Sequence, residues 1–561
     1  MTFAFAESPG AILDRLASWR EADAPTRGGN LLAYVFDTGL AELDELAAQA
    51  ARAMLPVNGL DPTTFGSVAR VEREVVAFVR DLLHGGDEVV GTATSCGTES
   101  NLLAVKTARD LWRQSRRGQR RPRLVMPTTA HGSFRKAAQY FDLAADIVPA
   151  AADGSVCPGA VIERLGDDVA LVVMSTPSYP FGVMDPVAEV AAAARDRGIA
   201  CHVDACMGGF TLPFWPGAET APAWDFRLPG VTSIATDLHK FGFAPKGISV
   251  LSQRGRARQR HQFSACATWS GYPLVNSTML GSKQAGSLAA GWAIIKALGV
   301  PGFTYLMASV ARSRDALVAA LDSIDGLRLF GESTGPMLAL AEDPAVPPDR
   351  RVHPHHLGDA LRALGWIPHL QPGLLQADGV RLPPTLHLTI TPVTESRLPE
   401  LIGALGQAAD AARGLPPPSA DDLWARWAAR GIVTGSAGGL PAIGRGGLTA
   451  GPFSGDDADA PGPGGTRSGS LDAPPGTRDD APAPGPGGSG ALDPDTAWEL
   501  LKDLGLAGSN DDDAGAATTT GDPSPEARQA PLLALIEALP AHLAESLLIE
   551  KMARLTETPP L

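Results

Sequence analysis

Apolar residues recur along this chain with two periods. Between residues 11 and 55 they fall at helical spacing, as in Leu40, Leu43, Leu46, Ala47 and Ala50, and the spacing returns through Val68, Val71, Val75, Val76 and Val79. Both stretches predict helices, the first an N-terminal arm of the kind that packs on a partner subunit. From residue 88 the pattern changes to short apolar runs that end in small or polar residues, at 123–126, 169–174, 199–205, 230–235 and 248–251. These predict buried strands. Helical patterns at 102–111 and 187–195, the second closed by Gly198, alternate with them. Strand, helix and strand in that order predict βαβ units and a parallel sheet with right-handed crossovers. From about Phe303 a smaller α/β pattern follows, with helices at 309–323 and 354–364 and strands at 327–330 and 386–390.

The pattern then stops. Residues 436–490 are dominated by Gly, Pro, Asp and Ala and cannot bury enough apolar surface to fold, so they predict a disordered linker. Two helical islands follow. Asp493-Pro494 caps a short helix with Trp498, Leu501 and Leu504, stopped by Gly505. Ser524-Pro525 starts another with Leu532, Leu535, Ile536 and Leu539; Pro540 breaks it, and Leu543, Leu547 and Met552 continue. Such stripes are expected to dock back onto the body or a dimer of it. The chain therefore divides into an arm (1–58), a large domain (59–302), a small domain (303–412), a mostly disordered linker (413–523) with a short helix near 494–504, and a helical segment (524–561).

With 561 residues and 44% hydrophobic content, the chain can bury a large core and hold two folded domains plus extras. A formal net charge of −15 argues against a general nucleic-acid binder and gives no broad attraction to anionic membranes. An anionic substrate would need a local cationic pocket. Five cysteines without a disulfide-framework spacing, and a start with no basic region before a long apolar run, point to a reducing, cytoplasmic setting. No stretch approaches the uninterrupted apolar length of a membrane span, so no transmembrane segment is expected.

The chemistry gathers around residues 236–247 and above all Lys240, with His239 beside it, on a tight connection between two buried strands. A primary amine there suits a Schiff base, and partial burial is expected to lower its pKa and leave a neutral nucleophile. A solvated surface lysine is the alternative. Upstream, the small-residue turn at 94–98 feeds a helix N-terminus, whose free amides and dipole suit a phosphate; Gly97 permits close approach and Thr98 adds a hydroxyl. Read alone, it is also an ordinary capping turn. His131 stands at a strand end before a helix, where a cap or surface residue is common. Strand alternation puts His202, Asp204 and Cys206 on one face and Cys201, Val203 and Ala205 on the other, so no metal site is expected from this cluster. Asp204, a carboxylate at a buried strand end, is costly unless paired and so needs a partner.

The motifs Gly97-Thr98-Glu99-Ser100, Ala130-His131-Gly132, Ser175-Thr176-Pro177, His202-Val203-Asp204-Ala205, His239-Lys240-Phe241-Gly242 and Gly281-Ser282-Lys283 together carry a resemblance. The chain resembles the pyridoxal-phosphate-dependent lyases of the sphingosine-1-phosphate lyase group, relatives of the amino-acid decarboxylases, over residues 55–300 and more loosely to 410. The resemblance implies an α/β, fold type I (aspartate aminotransferase-like) enzyme. Its large, mostly parallel sheet domain would carry pyridoxal 5'-phosphate, its small C-terminal domain would be α/β, and it would work as a homodimer with shared active sites. Lys240 would hold the cofactor covalently, Asp204 would pair with the ring nitrogen and keep the ring an electron sink, and His131 would stack on the ring. Gly97, Thr98 and His239 would anchor the phosphate. Ser178 and His202 would contact the cofactor, Ser282 would reach the neighbouring subunit's cofactor phosphate, and Lys246 would meet a substrate phosphate. Cys96, Leu238 and Lys283 depart from the family pattern, and Lys283 keeps the charge of the relatives' arginine but not its planar fork.

Three functions follow from the resemblance. A lyase would cleave a phosphorylated long-chain amino alcohol to an aldehyde and phosphoethanolamine by a retro-aldol step. A decarboxylase would instead break the bond to a carboxylate, and a scaffold would bind cofactor without turnover. The 58–65 segment, Ala244-Pro245-Lys246-Gly247 and the Gly-Ser-Lys loop lean toward the lyase. The presence of both Asp204 and Lys240 argues against the scaffold.

Overall fold

The structure is a computed structural model and describes residues 5–61, 63–115, 121–419, 494–503, 529–539 and 541–555. Its contacts divide the chain into two units, Met1–Pro417 and Pro418–Leu561. The first begins with the expected arm as two helices, α1 (Pro9–Glu21) and α2 (Ala41–Met54). Ser8 caps α1 by accepting from the Ala11 amide, yet α1 buries no side chain and leaves Ile12, Leu13, Leu16 and Trp19 exposed. In α3 (Gly66–Leu82) the spacing turns Val68, Val75 and Val79 inward.

The central layer follows in the order β1 (Val89–Thr94), α4 (Gly97–Ser115), β2 (Arg123–Pro127), α5 (Ser133–Phe141), β3 (Ala144–Val148), α6 (Pro158–Ile162), β4 (Val169–Ser175), α7 (Val187–Asp196), β5 (Ala200–Asp204), β6 (Val231–Thr236) and β7 (Ser249–Arg254). Among the described residues the seven strands lie in the order β1-β7-β6-β5-β4-β2-β3. Only β7 runs against its neighbours, so the sheet is mostly parallel. β4 and β5 are buried at every position, which is why they read as continuous apolar runs. β6 and β7 are adjacent and antiparallel, so a short connection joins them and fixes Lys240 at the sheet edge. The carboxyl ends of β1, β4, β5 and β6 open on that same edge, where an α/β sheet places its ligand. One boundary differs from expectation: the helix after β1 starts at Gly97, not at residue 102, so the glycine turn is already its first turn.

After α8 (Arg256–Gln259) and the hairpin of β8 (Ser264–Cys266) with β9 (Leu274–Asn276) comes α9 (Gly286–Leu321). By length and composition alone α9 is apolar enough to cross a membrane, a weak signal that buried core helices also give. Gly299 (φ 54°, ψ −173°) breaks its geometry just before Pro301, and it packs on α2 and α3, which accounts for its apolarity. The kink lies beside the expected boundary at 302–303. Beyond it come β10 (Leu327–Leu329), β11 (Met337–Glu342), α10 (Pro354–Ala363), β12 (His369–Gln371), a ribbon of β13 (Leu374–Leu375) and β14 (Arg381–Leu382), β15 (Thr385–Thr389) and α11 (Thr394–Ala412). The order β10-β11-β15-β12 makes a second, antiparallel sheet.

In the second unit, helices Pro494–Asp503, Ala530–Ala538 and Ala541–Leu555 bury Leu500, Leu501, Leu535, Leu539 and Leu547 against one another. The break ahead of Pro540 falls where the sequence puts it. The linker at 436–490, the stop at Leu504 and Gly505, and the start at Ser524-Pro525 lie outside the described residues.

Candidate active site

A cavity of about 190 Å³ opens at the carboxyl edge of the central sheet. Six of the residues singled out from sequence line it: Gly97, Thr98, His131, Asp204, His239 and Lys240. One wall is the first turn of α4. There Glu99 reaches back to accept from the Ser95 amide (2.6 Å), and its other oxygen accepts from the Met279 amide (2.7 Å). One carboxylate thus fixes the helix start and ties it to the segment that carries Ser282. A Cβ at Gly97 would stand 2.5 Å from Cys206 Sγ and 2.8 Å from both Asp237 carboxylate oxygens, so only glycine lets the turn close here.

Asp204 forms the floor. It is 8% exposed, and Oδ1 accepts from the Cys206 amide (3.1 Å) while Oδ2 accepts from Asn101 Nδ2 (3.1 Å). Burial pushes its pKa up, but His131, Lys240 and the hydrogen bonds of Cys206 outweigh burial and hold it below the usual carboxylate range. Asn101 is the hub. Its Nδ2 also donates to Ser133 Oγ (3.0 Å), and Ser133 Oγ lies 2.9 Å from His131 Nδ1. On its other side His202 Nε2 donates to Asn101 Oδ1 (3.1 Å), while His202 Nδ1 faces Ser233 Oγ (2.8 Å). Burial takes the His202 pKa down to about 4, so the ring is neutral and its single proton can sit on Nε2. The amide orientation of Asn101 is thereby fixed, and with it the hydrogen bond to Asp204.

One expectation changes here, and one residue is added. His202 does not line the cavity; it is fully buried and acts on Asp204 through Asn101. Asn101 lines the cavity and was not singled out from sequence, because an asparagine inside a helix gives no signal until the fold brings it beside β5. Asn101→Ala is expected to lower turnover about 10- to 100-fold with the cofactor still bound, the usual cost of losing an orienting partner, read from kcat beside the visible spectrum.

Lys240 Nζ lies 3.0 Å from Asp237 Oδ2. The lysine was expected to be held neutral, and the structure reverses this. Burial does pull its pKa down, but Asp237, Cys206 and Asp204 together outweigh it and raise the value above that of an ordinary lysine. Asp237 also accepts from Ser249 Oγ (2.5 Å), so it is a fixed counter-ion. Beside it, His239 Nδ1 donates to the Ile248 carbonyl (2.8 Å), which aims the ring, and burial lowers its pKa. Tyr179 closes the cavity from the β4 side, its hydroxyl 3.1 Å from His369 Nδ1 on β12 and its ring stacked on His387 at 4.5 Å. Burial pushes the Tyr179 phenol up to about 12.

Three further predicted residues stand off the cavity. Ser178 is buried with its hydroxyl unpartnered among the described residues, and its neighbour Tyr179 takes the lining position. Lys246 Nζ donates to the His239 carbonyl (3.2 Å) and lies 4.8 Å from the Phe36 ring centroid. Ser282 Oγ accepts from Asn58 Nδ2 (3.3 Å), and the Gly59 amide donates to the Lys283 carbonyl (2.7 Å), so the 58–65 segment and the Gly-Ser-Lys loop are tied together. No group of three or more His, Cys, Asp or Glu side chains suited to a metal occurs among the described residues.

These residues fit pyridoxal phosphate. The start of α4 offers amides at the turn that Gly97 allows to close, and an ionised buried carboxylate and an amine line the same cavity. Residues 36–327 match the pyridoxal-dependent decarboxylase conserved domain, and residues 476–554 match a C-terminal putative HTH domain of pyridoxal-dependent enzymes. The chain is 34% identical to mouse sphingosine-1-phosphate lyase 1 over 63% of its own length and 61% of that protein's. It is 32% identical to the sphingosine-1-phosphate lyase of Oryza sativa, covering 68% of both chains. The solved structure of the Burkholderia pseudomallei sphingosine-1-phosphate lyase superposes with a TM-score of 0.66 at 29% identity, over 77% of this chain and 96% of that one. On the domain match and the geometry that its motif residues form, the chain belongs to the pyridoxal-dependent decarboxylase family.

Proposed function

We propose that the protein is a pyridoxal-phosphate-dependent carbon–carbon lyase that cleaves a phosphorylated long-chain amino alcohol to an aldehyde and phosphoethanolamine. The observation that carries this reading is Lys246, a cation coupled to Lys240 but off the cavity that Lys240 lines. Although the residue is exposed, its ammonium is tucked between the His239 carbonyl and Phe36. Burial of that ammonium, and then the charge of Lys240, bring its pKa down to about 8. In a chain of net charge −15, this is the local cation that a phosphorylated substrate needs.

When bound, the cofactor supplies the electron sink for the bond that breaks. The protein's own groups do the rest. The amides at the start of α4 and the Thr98 hydroxyl bind the phosphate, His131 sets the ring plane, and Asp204 keeps a proton on the ring nitrogen. Asp237 holds the Lys240 ammonium, and Lys246 takes the substrate's phosphate and so chooses which bond stands ready to break. Incubating the reconstituted protein with a phosphorylated sphingoid base is expected to release long-chain aldehyde and phosphoethanolamine in equal amounts. Carbon dioxide release from amino acids, with no aldehyde from the phosphorylated base, would replace this reading with a decarboxylase.

A pH dependence follows from Lys246. Its ammonium is charged below about 8 and neutral above, so affinity for the phosphorylated substrate falls as pH rises through that value. KM is expected to climb about ten-fold across this range, and Lys246→Met to show the high KM at neutral pH with no further rise.

The same reading includes a homodimer whose partner completes each cavity. Ser282 stands off its own cavity, and its segment exposes Trp269, Tyr272, Val275, Met279 and Leu280. Five exposed large apolar side chains within twelve residues favour cover by a second copy over solvent. Light scattering is expected to give twice the chain mass, and a fully active monomer would contradict it. A reducing, cytoplasmic setting belongs to the reading too, supported by five free thiols, of which Cys96 and Cys206 line the cavity.

A further inference from the structure

The end of β4 is a wall of the candidate active site. Ser175, the last residue of the strand, lines the cavity, as do Pro177 and Tyr179 just beyond it. This end of the strand has a strand partner on one side only. Toward β5, Ser175 stands opposite Asp204, and the Thr176 amide donates to the Asp204 carbonyl (2.9 Å). Toward β2, the register reaches only to Val172, short of Ser175. The Ser175 amide and carbonyl would therefore lack a strand partner at a position only 4% exposed, which is costly for buried backbone groups.

Asp185 fills that gap. Its Oδ2 accepts from the Ser175 amide (2.6 Å), and its own amide donates to the Ser175 carbonyl (3.2 Å), so one residue stands in for a strand on that side. Asp185 is seated in turn at the start of α7, where its carbonyl accepts from the Val187 amide (2.8 Å). Behind it lies a larger cavity, of about 1170 Å³, which Asp185 lines and Ser175 does not. Packing behind the strand end is thus incomplete, and the two hydrogen bonds hold it. Burial pushes the Asp185 pKa up to about 7, with the charge of Asp204 adding to the push. Carboxylate and neutral carboxyl both offer the Ser175 amide an acceptor oxygen, so the clamp does not depend on the charge.

We propose that Asp185 is a positioning residue of the active site: it fixes Ser175 in register with Asp204 and so holds the 175–179 wall of the cavity in place. The proposal rests on the cofactor fit, not on which bond the enzyme breaks.

The test compares Asp185→Ala, Asp185→Leu and Asp185→Asn in the cofactor-loaded protein. Two readouts are taken: circular dichroism of the visible cofactor band, which reports how firmly the ring is held in its chiral site, and kcat with KM for the phosphorylated sphingoid base. Alanine and leucine both remove the acceptor, and leucine does so without emptying the position. Both are expected to keep the absorption band, to lose about two-fold or more of its dichroism and to lower kcat about 10- to 100-fold, with KM within about two-fold. Asparagine keeps an oxygen for the Ser175 amide and is expected to hold dichroism and kcat within about two-fold of the parent protein. Dichroism needs no turnover, so it decides the proposal even where the sphingoid base releases no aldehyde and the lyase reading fails. Parent-like dichroism and kcat in alanine and leucine, a raised KM with unchanged kcat, or asparagine no better than alanine would overturn the proposal.

Discussion

Replacing Lys240 by alanine is expected to remove the visible absorption band of the reconstituted protein and to cut turnover by about a thousand-fold or more. The amine is the one group of the cavity positioned to bond the cofactor, and its 3.0 Å contact with Asp237 holds it there. Alanine also leaves Asp237 with a buried charge and no counter-ion, so lost stability has to be separated from lost chemistry. Lys240→Arg makes that separation. It restores a cation for Asp237 but supplies no amine that can condense, so the fold should recover in a thermal melt while band and turnover remain absent. Turnover close to that of the parent protein in either variant would remove Lys240 from its role.

Asp204→Asn is expected to lower kcat by about a hundred-fold or more while the cofactor band stays in place. The change keeps the shape of the side chain but removes the charge and one of its two acceptor oxygens, so the amide NH2 faces either the Cys206 amide or Asn101 Nδ2. Because Asp204 is held ionised against its burial, the cost appears in the electron demand of the ring rather than in cofactor affinity. The sign can be checked with pH. A carboxylate whose pKa is depressed in the folded state contributes its stabilisation above its unfolded value and loses it as pH falls through the folded one. The parent protein should therefore hold its spectrum into mildly acidic solution. Equal kcat in Asp204→Asn would show that no charge is needed at that position.

Much of this arrangement was legible in the sequence, for reasons that differ from residue to residue. Buried parallel strands leave continuous apolar runs, so β4, β5 and β6 were readable, and with them the strand ends that carry Asp204 and Lys240. Gly97 was legible because only glycine suits a turn that closes on Cys206 and Asp237. Asn101 was not, since its role depends on a helix crossing beside β5, a contact between residues about a hundred positions apart. Asp237 was missed for a related reason: an acid next to His239 and Lys240 reads as a loop charge until the turn brings it to the amine. The Lys240 pKa runs against the direction expected from burial because Asp237, Cys206 and Asp204 surround the amine, and their approach depends on the same turn. Ser178 and Tyr179 show the limit of motif matching, where one step along a loop decides which side chain reaches the cavity. Gly299 and Pro301 interrupt the apolar run of α9 in the sequence, and the structure breaks the helical geometry at the same point.

The most direct test of the account is reductive trapping. The protein is loaded with pyridoxal phosphate, reduced with borohydride and digested, and the labelled peptide is sequenced by mass spectrometry. The account predicts a single stoichiometric label on Lys240. A label on Lys246 or another lysine, or no label above background, would contradict it.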